Sequence, residues 1–156
     1  MDPTFSDLLL FSFKVGSYLF AIPTVNVLEL SKSIEVTVVP GAPSYINGLI
    51  NLRGDLVISI NMHKRLGIES NNNSEKMCIY MQTENNNLGL LVDDVGEMYS
   101  FKPERMERPL STDEMSSGLI VGGYQLKDKL LFVLECEKIL TSNKEMSAES
   151  LQLLKN

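Results

Sequence analysis

The chain has 156 residues, of which 44% are hydrophobic and 22% are charged, with a net charge of −6 at pH 7. This length and composition predict one globular domain with its own apolar core, and the negative charge argues against nucleic acid or an anionic membrane surface as the main partner. No stretch approaches the ~20 apolar residues of a membrane span, and the sequence start lacks the positive segment of a signal peptide, so we expect a cytoplasmic protein.

Short apolar runs separated by turn residues dominate the chain, which predicts a mainly β fold. In the first half we predict strands at 8–13, 18–22, 25–30 (entered through a turn), 34–39, 50–53 and 56–60. In the second half we predict strands at 77–81, 88–92, 118–125 and 129–135. Many short strands with little helix are typical of closed or nearly closed β-barrels.

Turn and helix signals lie between these strands. Gly54-Asp55 predicts a hairpin turn, and 62–66 predicts a short helix that ends at Gly67. Residues 70–74 predict a central surface loop, and 101–117 are expected to be mostly loop. The last segment, 141–156, predicts a helical tail with an apolar face.

Four features of the first half recur in the same order in the second half. The pairs are Val27-x-Glu29-Leu30 with Val95-x-Glu97-Met98, Pro40 with Pro109, Gly48-Leu49-Ile50 with Gly118-Leu119-Ile120, and 56–60 with 130–134. A conserved order with different loop lengths predicts two similarly built β units in one chain.

Signals for catalysis or metal binding are weak. His63 is the only histidine, and we expect it on a solvated surface; Asp93-Asp94 is expected in a solvated turn. Cys78 and Cys136 lie in apolar runs and predict two reduced, buried thiols rather than a disulfide or a metal pair. We therefore predict no catalytic residue, no metal and no cofactor, and no binding of ATP or acceptance of phosphate.

Glu29 and Arg53 are charges within otherwise apolar segments, where burial is costly unless the charge is paired. Two interpretations stay open: each faces solvent from an amphipathic strand, or each is a charged contact on an apolar docking face. The same two interpretations, core packing or docking, apply to the apolar residues near them. Those residues are Val25, Val27, Leu28 and Leu49.

Five further motifs are Tyr18-x-Phe20-x-Ile22-Pro23, Val27-x-Glu29-Leu30, Gly48-Leu49-Ile50-Asn51-Leu52-Arg53-Gly54, Lys64-Arg65-Leu66-Gly67 and Gly89-Leu90-Leu91-Val92-Asp93-x-Val95. Together these motifs resemble the CheW-type chemotaxis coupling proteins. The resemblance implies a single CheW-like domain over 1–156 with a family core at about 7–140. It implies a fold of two intertwined five-stranded SH3-like β-barrels with short helices.

The resemblance also implies an adaptor without catalysis. Such a protein bridges the cytoplasmic tips of methyl-accepting chemoreceptors and the regulatory domain of a CheA-type histidine kinase, at membrane receptor arrays. The resemblance places Val27, Glu29 and Arg53 at coupling positions. With their apolar neighbours, these residues give the receptor-binding prediction: Val25, Val27, Leu28, Glu29, Leu49 and Arg53. The kinase-coupling prediction is Gly48, Arg53, Gly54 and Gly89.

Two departures from the family pattern are visible. Ile58 stands where the family usually has proline, and Asn61-Met62 stands where it usually has Asp-Leu. These departures suit a divergent paralogue. One alternative is a coupling protein of a pilus or other non-flagellar pathway, and a remote one is a small β-barrel hydrolase or ligand-binding protein that uses His63 or the acids near Asp93.

Overall fold

The computed structural model describes residues 7–32, 35–70, 77–108 and 118–140. These residues form ten strands, one short α-helix and three 3₁₀ turns. The strands are β1 (Leu8–Val15), β2 (Tyr18–Pro23), β3 (Val27–Lys32), β4 (Ile46–Leu52), β5 (Asp55–Asn61), β6 (Met77–Gln82), β7 (Asn87–Val92), β8 (Asp94–Phe101), β9 (Ile120–Gln125) and β10 (Leu130–Leu134). The helix is α1 (Met62–Leu66), and the 3₁₀ turns are Thr24–Asn26, Pro103–Arg105 and Cys136–Lys138.

The strands form two five-stranded sheets whose orders are β8-β1-β2-β10-β9 and β3-β6-β7-β5-β4. The two orders correspond strand by strand: β1 to β5 of one half occupy the places that β6 to β10 occupy in the other. The two halves therefore have the same topology. Each sheet takes strands from both halves and contains one parallel pair, β2 with β10 or β5 with β7. The predicted intertwined architecture is confirmed, although within the described residues each sheet keeps two unpaired ends rather than closing by strand pairing.

Three apolar clusters fill this architecture. The largest draws on both sheets and includes the fully buried Phe13, Phe20, Ile60 and Leu90. Each sheet also curls around a smaller cluster of its own. These are Leu10, Leu19, Ala21, Tyr124, Leu131 and Val133 in the first sheet, and Ile50, Val57, Cys78, Tyr80 and Leu91 in the second.

The strand predicted at 34–39 is wrong for its described part, 35–39. Only Thr37 pairs, through two reciprocal backbone hydrogen bonds of 2.8 Å with Leu49. The register of β4 shifts between Ile46 and Gly48. This irregularity, together with the break at Pro40, limits the segment to one bridge.

Helix α1 forms as predicted. The Asn61 side chain accepts a hydrogen bond from Lys64 N at 3.1 Å, which caps the helix start. Gly67 ends it with a left-handed φ of 71°. Asn61, one of the two departures noted in the sequence, therefore caps the start of α1.

The prediction that His63 lies on a solvated surface is wrong, because the residue is buried, with 1% exposure. The same correction applies to Asp93, which is partly buried and whose Oδ1 lies 2.7 Å from His63 Nε2. The first turn of α1 faces inward, and the loop after α1 and the β1–β2 turn provide further hydrogen-bond partners for this pair. Asp94 is exposed, as predicted.

Four predicted features lie wholly or partly outside the described residues: the central loop at 71–74, the echo of Pro40 at Pro109, the loop at 109–117 and the helical tail at 141–156. In the parts that are described, no helix is long and apolar enough to cross a bilayer.

Cys78 and Cys136 are free, buried thiols, as predicted. Burial raises the pKa of the Cys78 thiol to about 11 and that of Cys136 to about 12. Since the thiolate is the reactive form, roughly one thiol in a thousand or fewer is ionised at pH 8.

We therefore expect both thiols of the native protein to resist a thiol-exchange reagent at pH 8 and to react promptly after denaturation. The absorbance of the released chromophore measures this, and two thiols per denatured chain provide the control. Rapid reaction of either thiol in the native protein would contradict the burial seen here.

Candidate functional site

Arg53 and Glu29 form an ion pair that joins the two ends of one sheet. Arg53 lies at the tip of the β4–β5 hairpin, and Glu29 lies on β3, the strand at the opposite edge. The Arg53 Nη1 donates to Glu29 Oε2, and Nη2 donates to Oε1 at 3.4 Å. The Arg53 side chain is 74% exposed and that of Glu29 29%. Such an exposed pair contributes at most about 1 kcal/mol to stability.

The backbone of Arg53 is unusual. It has a φ of 53° and is the one non-glycine residue with positive φ in the described ranges. With Gly54, φ 89°, it forms a two-residue hairpin turn of the type I′ class, closed by the Leu52–Asp55 pair. The turn predicted at Gly54-Asp55 therefore lies one residue too late. A left-handed non-glycine residue costs on the order of 1 kcal/mol, so Arg53 stands where glycine or asparagine fits better.

The apolar residues beside this ion pair divide into two groups. Val25, in the 3₁₀ turn Thr24–Asn26, is 86% exposed, and Leu28 and Leu30 on β3 are 55% and 40% exposed. We call Val25, Leu28 and Leu30 the β3 patch. Val27, by contrast, packs against the largest core cluster, because successive side chains of β3 point to opposite faces.

Leu49 is also half-buried against the largest cluster, and does not join the β3 patch. Leu28 additionally lines a cavity of about 240 Å³ between β3 and the β4–β5 hairpin. The other walls of this cavity include Leu52, Val57 and Tyr80. The predicted receptor-binding set is thus split between exposed residues, Val25, Leu28 and Arg53, and partly buried ones, Val27, Glu29 and Leu49.

The three glycines of the predicted kinase-coupling set have different structural reasons. A Cβ on Gly48 would lie 2.3 Å from the carbonyl oxygen of Thr37, so the approach of that segment requires glycine. Gly54 has open space around it and is required by its positive φ. Gly89 lies inside β7, where a Cβ would come within 3.0 Å of Cys78 Sγ. Of these, only Gly54 lies next to Arg53 in the turn.

Sequence reasoning missed Leu30 and the exposed Leu56. Leu30 could have been found from the period-2 alternation with Leu28, which places both on one face of β3. Leu56 follows Arg53 closely in sequence, but its exposure depends on how β5 packs.

The arrangement suits binding rather than bond making. An exposed apolar strand beside an exposed arginine is a composition that protein interfaces favour. Among the described residues, no group of three or more His, Cys, Asp and Glu side chains could hold a metal ion.

Residues 9–144 match the family model described as the CheW-like domain. The chain belongs to this family. The CheW-like assignment covers both sheets and includes β3, the β4–β5 hairpin and α1.

Individual relatives agree with the CheW-like assignment. The chain is 27% identical over 139 residues to a chemotaxis protein CheW of Treponema pallidum, covering 85% of this chain and 82% of that one. It is 26% identical to a chemotaxis protein CheW of Thermotoga maritima, covering 83% and 85%. A crystal structure of the scaffolding protein TtCheW from Thermoanaerobacter tengcongensis superposes with a TM-score of 0.79 at 26% identity, covering 89% of this chain and 97% of that one. The family and fold class predicted from the sequence are confirmed.

Proposed function

We propose that this CheW-like chain is a chemotaxis scaffold that couples chemoreceptors to a CheA-type histidine kinase. It works by binding and carries no catalytic step. The observation that carries the proposal is the β3 patch beside the exposed Arg53, in a fold shared with a scaffolding protein. The chain would act in the cytoplasm, at membrane receptor arrays.

The similar proteins support a chemotaxis role over the alternatives. Relatives in Treponema pallidum and Thermotoga maritima carry the name chemotaxis protein CheW. These names do not favour the alternative of a coupling protein in a pilus or other non-flagellar pathway. A hydrolase or ligand-binding barrel that uses His63 is also disfavoured, since both ring nitrogens of His63 are occupied by structural contacts.

We assign the receptor to the β3 patch. A receptor tip is helical, and an apolar strand face flanked by charge suits a helix that docks through apolar anchors while the charge sets its orientation. Val25, Leu28 and Leu30 supply the anchors. Glu29 lies with Val27 on the other side of β3, where it pairs with Arg53, so its charge acts at the edge of this surface. Val27 and Leu49 support this surface from the core side.

We assign the kinase regulatory domain to the tip of the β4–β5 hairpin. Arg53 presents its guanidinium there, and the left-handed backbone of Arg53 and Gly54 sets its direction. Gly48 and Gly89 act indirectly, by allowing the close backbone and side-chain packing that holds the hairpin in place.

Titrations with a receptor-tip fragment and with a CheA regulatory domain test this division. Leu28→Asp places a charge in the receptor contact and is expected to weaken receptor binding by at least about tenfold, ~1.4 kcal/mol. Kinase binding is expected to change by less than about twofold, which is below ~0.5 kcal/mol.

Leu9→Asp is the matched control, because Leu9 is an exposed strand leucine in the other sheet. It should leave both titrations at the wild-type values. Equal weakening of both partners by Leu28→Asp, or of neither, would contradict a dedicated receptor surface on β3.

A further inference from the structure

The imidazole of His63 is surrounded by hydrogen-bond acceptors. Its Nε2 lies 2.7 Å from Asp93 Oδ1, and its Nδ1 lies 3.0 Å from the carbonyl oxygen of Glu69 and 3.3 Å from that of Ile68. A carboxylate and a carbonyl accept and cannot donate. Both ring nitrogens must therefore donate, which only the doubly protonated, positively charged imidazolium can do.

This pair lies where the two sheets meet. His63 belongs to α1, which follows β5 of one sheet, while Asp93 joins β7 to β8 and contacts the other sheet. Gly16 N, in the β1–β2 turn, donates to Asp93 Oδ2 at 2.7 Å, and Asp93 N donates to the Lys14 carbonyl at 3.0 Å. Asp93 therefore ties the β1–β2 turn of one sheet to α1 of the other through a single carboxylate.

The β1–β2 turn also packs closely on the loop after α1. A Cβ on Gly16 would lie 2.9 Å from Ile68 Cγ2 and 4.0 Å from His63 Cε1. Gly16 therefore lies close to the loop after α1 and near the imidazole.

We propose that His63 and Asp93 form a proton-dependent latch between the two sheets. The imidazolium holds the latch closed, with Nε2–H donating to the Asp93 carboxylate and Nδ1–H donating to the Glu69 carbonyl. Loss of one proton leaves a nitrogen lone pair against one of these acceptors, in a buried site where an unsatisfied polar group is costly. The latch is thus tight at acidic pH and loosens as the imidazole loses its proton.

Asp93 supplies the charge that faces the imidazole. Lys14 and Glu69 contribute backbone carbonyls, and their side chains are exposed, as is that of Lys64 on α1. The Arg65 guanidinium is engaged elsewhere, donating to the carbonyls of Ile139 and Lys138. The exposed Asp94 accepts from Val95 N.

Nuclear magnetic resonance of the wild-type chain tests the protonation directly. His63 is the only histidine, so its imidazole signals need no assignment by mutation. In a pH series from about 5 to 8, we expect both ring nitrogens to carry protons at the acidic end. The Gly16 amide resonance is expected to shift with the same midpoint, and its exchange with solvent to accelerate at higher pH beyond the ordinary base-catalysed trend. An imidazole that is neutral throughout, or a Gly16 amide that ignores the titration, would overturn the latch.

Thermal unfolding of variants tests the energetic consequence. His63→Gln does not titrate, so the wild type should exceed it in Tm by about 2–4 °C more at the acidic end of the range than at the basic end. The wild type is expected to gain more at acidic pH because the protonated imidazole is the form that holds the contact. This stabilisation is lost as pH rises.

Asp93→Asn serves as the second variant if His63→Gln does not fold. It removes the charge that faces the imidazole while keeping a similar shape, and it should abolish the pH-dependent shift of the Gly16 amide. A pH-independent difference between the wild type and His63→Gln, or an unchanged Gly16 titration in Asp93→Asn, would refute the proposal.

Discussion

Replacing Gly48 with alanine is expected to lower the free energy of unfolding by about 3 kcal/mol or more. The added Cβ would lie 2.3 Å from the carbonyl oxygen of Thr37 and 2.9 Å from its carbonyl carbon. These are backbone atoms, which cannot rotate away as a flexible side chain can. Relief of the clash must separate the segment from β4 and break both Thr37–Leu49 hydrogen bonds. Urea denaturation measures the loss.

Gly41→Ala is the matched control for this substitution. Gly41 also has a positive φ, 81°, but a Cβ there would meet nothing within 4 Å. It should therefore cost only about 1 kcal/mol, from backbone strain. If Gly48→Ala costs no more than Gly41→Ala, the close approach of Thr37 is not what requires glycine. A loss of kinase coupling in Gly48→Ala would then report a direct contact rather than a displaced hairpin.

Replacing Arg53 with alanine is expected to reduce kinase activation in a reconstituted receptor array by about tenfold or more, ~1.4 kcal/mol of coupling. The free energy of unfolding should change by ~1 kcal/mol or less, because the lost ion pair with Glu29 is largely exposed. Kinase activation is expected to fall because the guanidinium lies at the hairpin tip, where it can contact a partner. Kinase assays and denaturation of the same preparation measure the two effects.

Arg53→Gly separates coupling from stability. Glycine adopts a positive φ without strain, so this variant should be as stable as the wild type or more stable, by up to ~1 kcal/mol. It should nevertheless lose as much kinase activation as Arg53→Ala. A large stability loss in both variants would instead make Arg53 part of a structural ion pair, and retained activation in Arg53→Gly would remove Arg53 from the coupling surface.

Local chemistry made several elements predictable from the sequence. Gly16-Ser17 separates two apolar runs that pair as β1 and β2, and Gly67 ends α1 as expected. The order of repeated features anticipated two similar units, since each strand has a counterpart five strands later. These features depend on turn residues and on periodicity, which act over a few neighbouring residues.

The errors arose where a distant segment decided the outcome. His63 is buried because Asp93 and the carbonyls after α1 provide partners that its own neighbours in sequence do not reveal. The β4–β5 turn lies at Arg53 and Gly54, since pairing of Leu52 with Asp55 sets the register. In the predicted docking set, only the packing of β3 on the core separates the exposed Leu28 from the half-buried Val27.

The sequence by itself determined the mainly β class, the two-unit organisation and the family, because apolar periodicity, turn residues and motif spacing are properties of short segments. Only the tertiary structure decided how strands are exchanged between the sheets, which charges meet and which apolar side chains face solvent. Glu29 and Arg53 are 24 residues apart in sequence, and His63 and Asp93 are 30 apart. Such pairs form when sheet order and register bring remote positions within hydrogen-bonding distance, and no local pattern specifies that order.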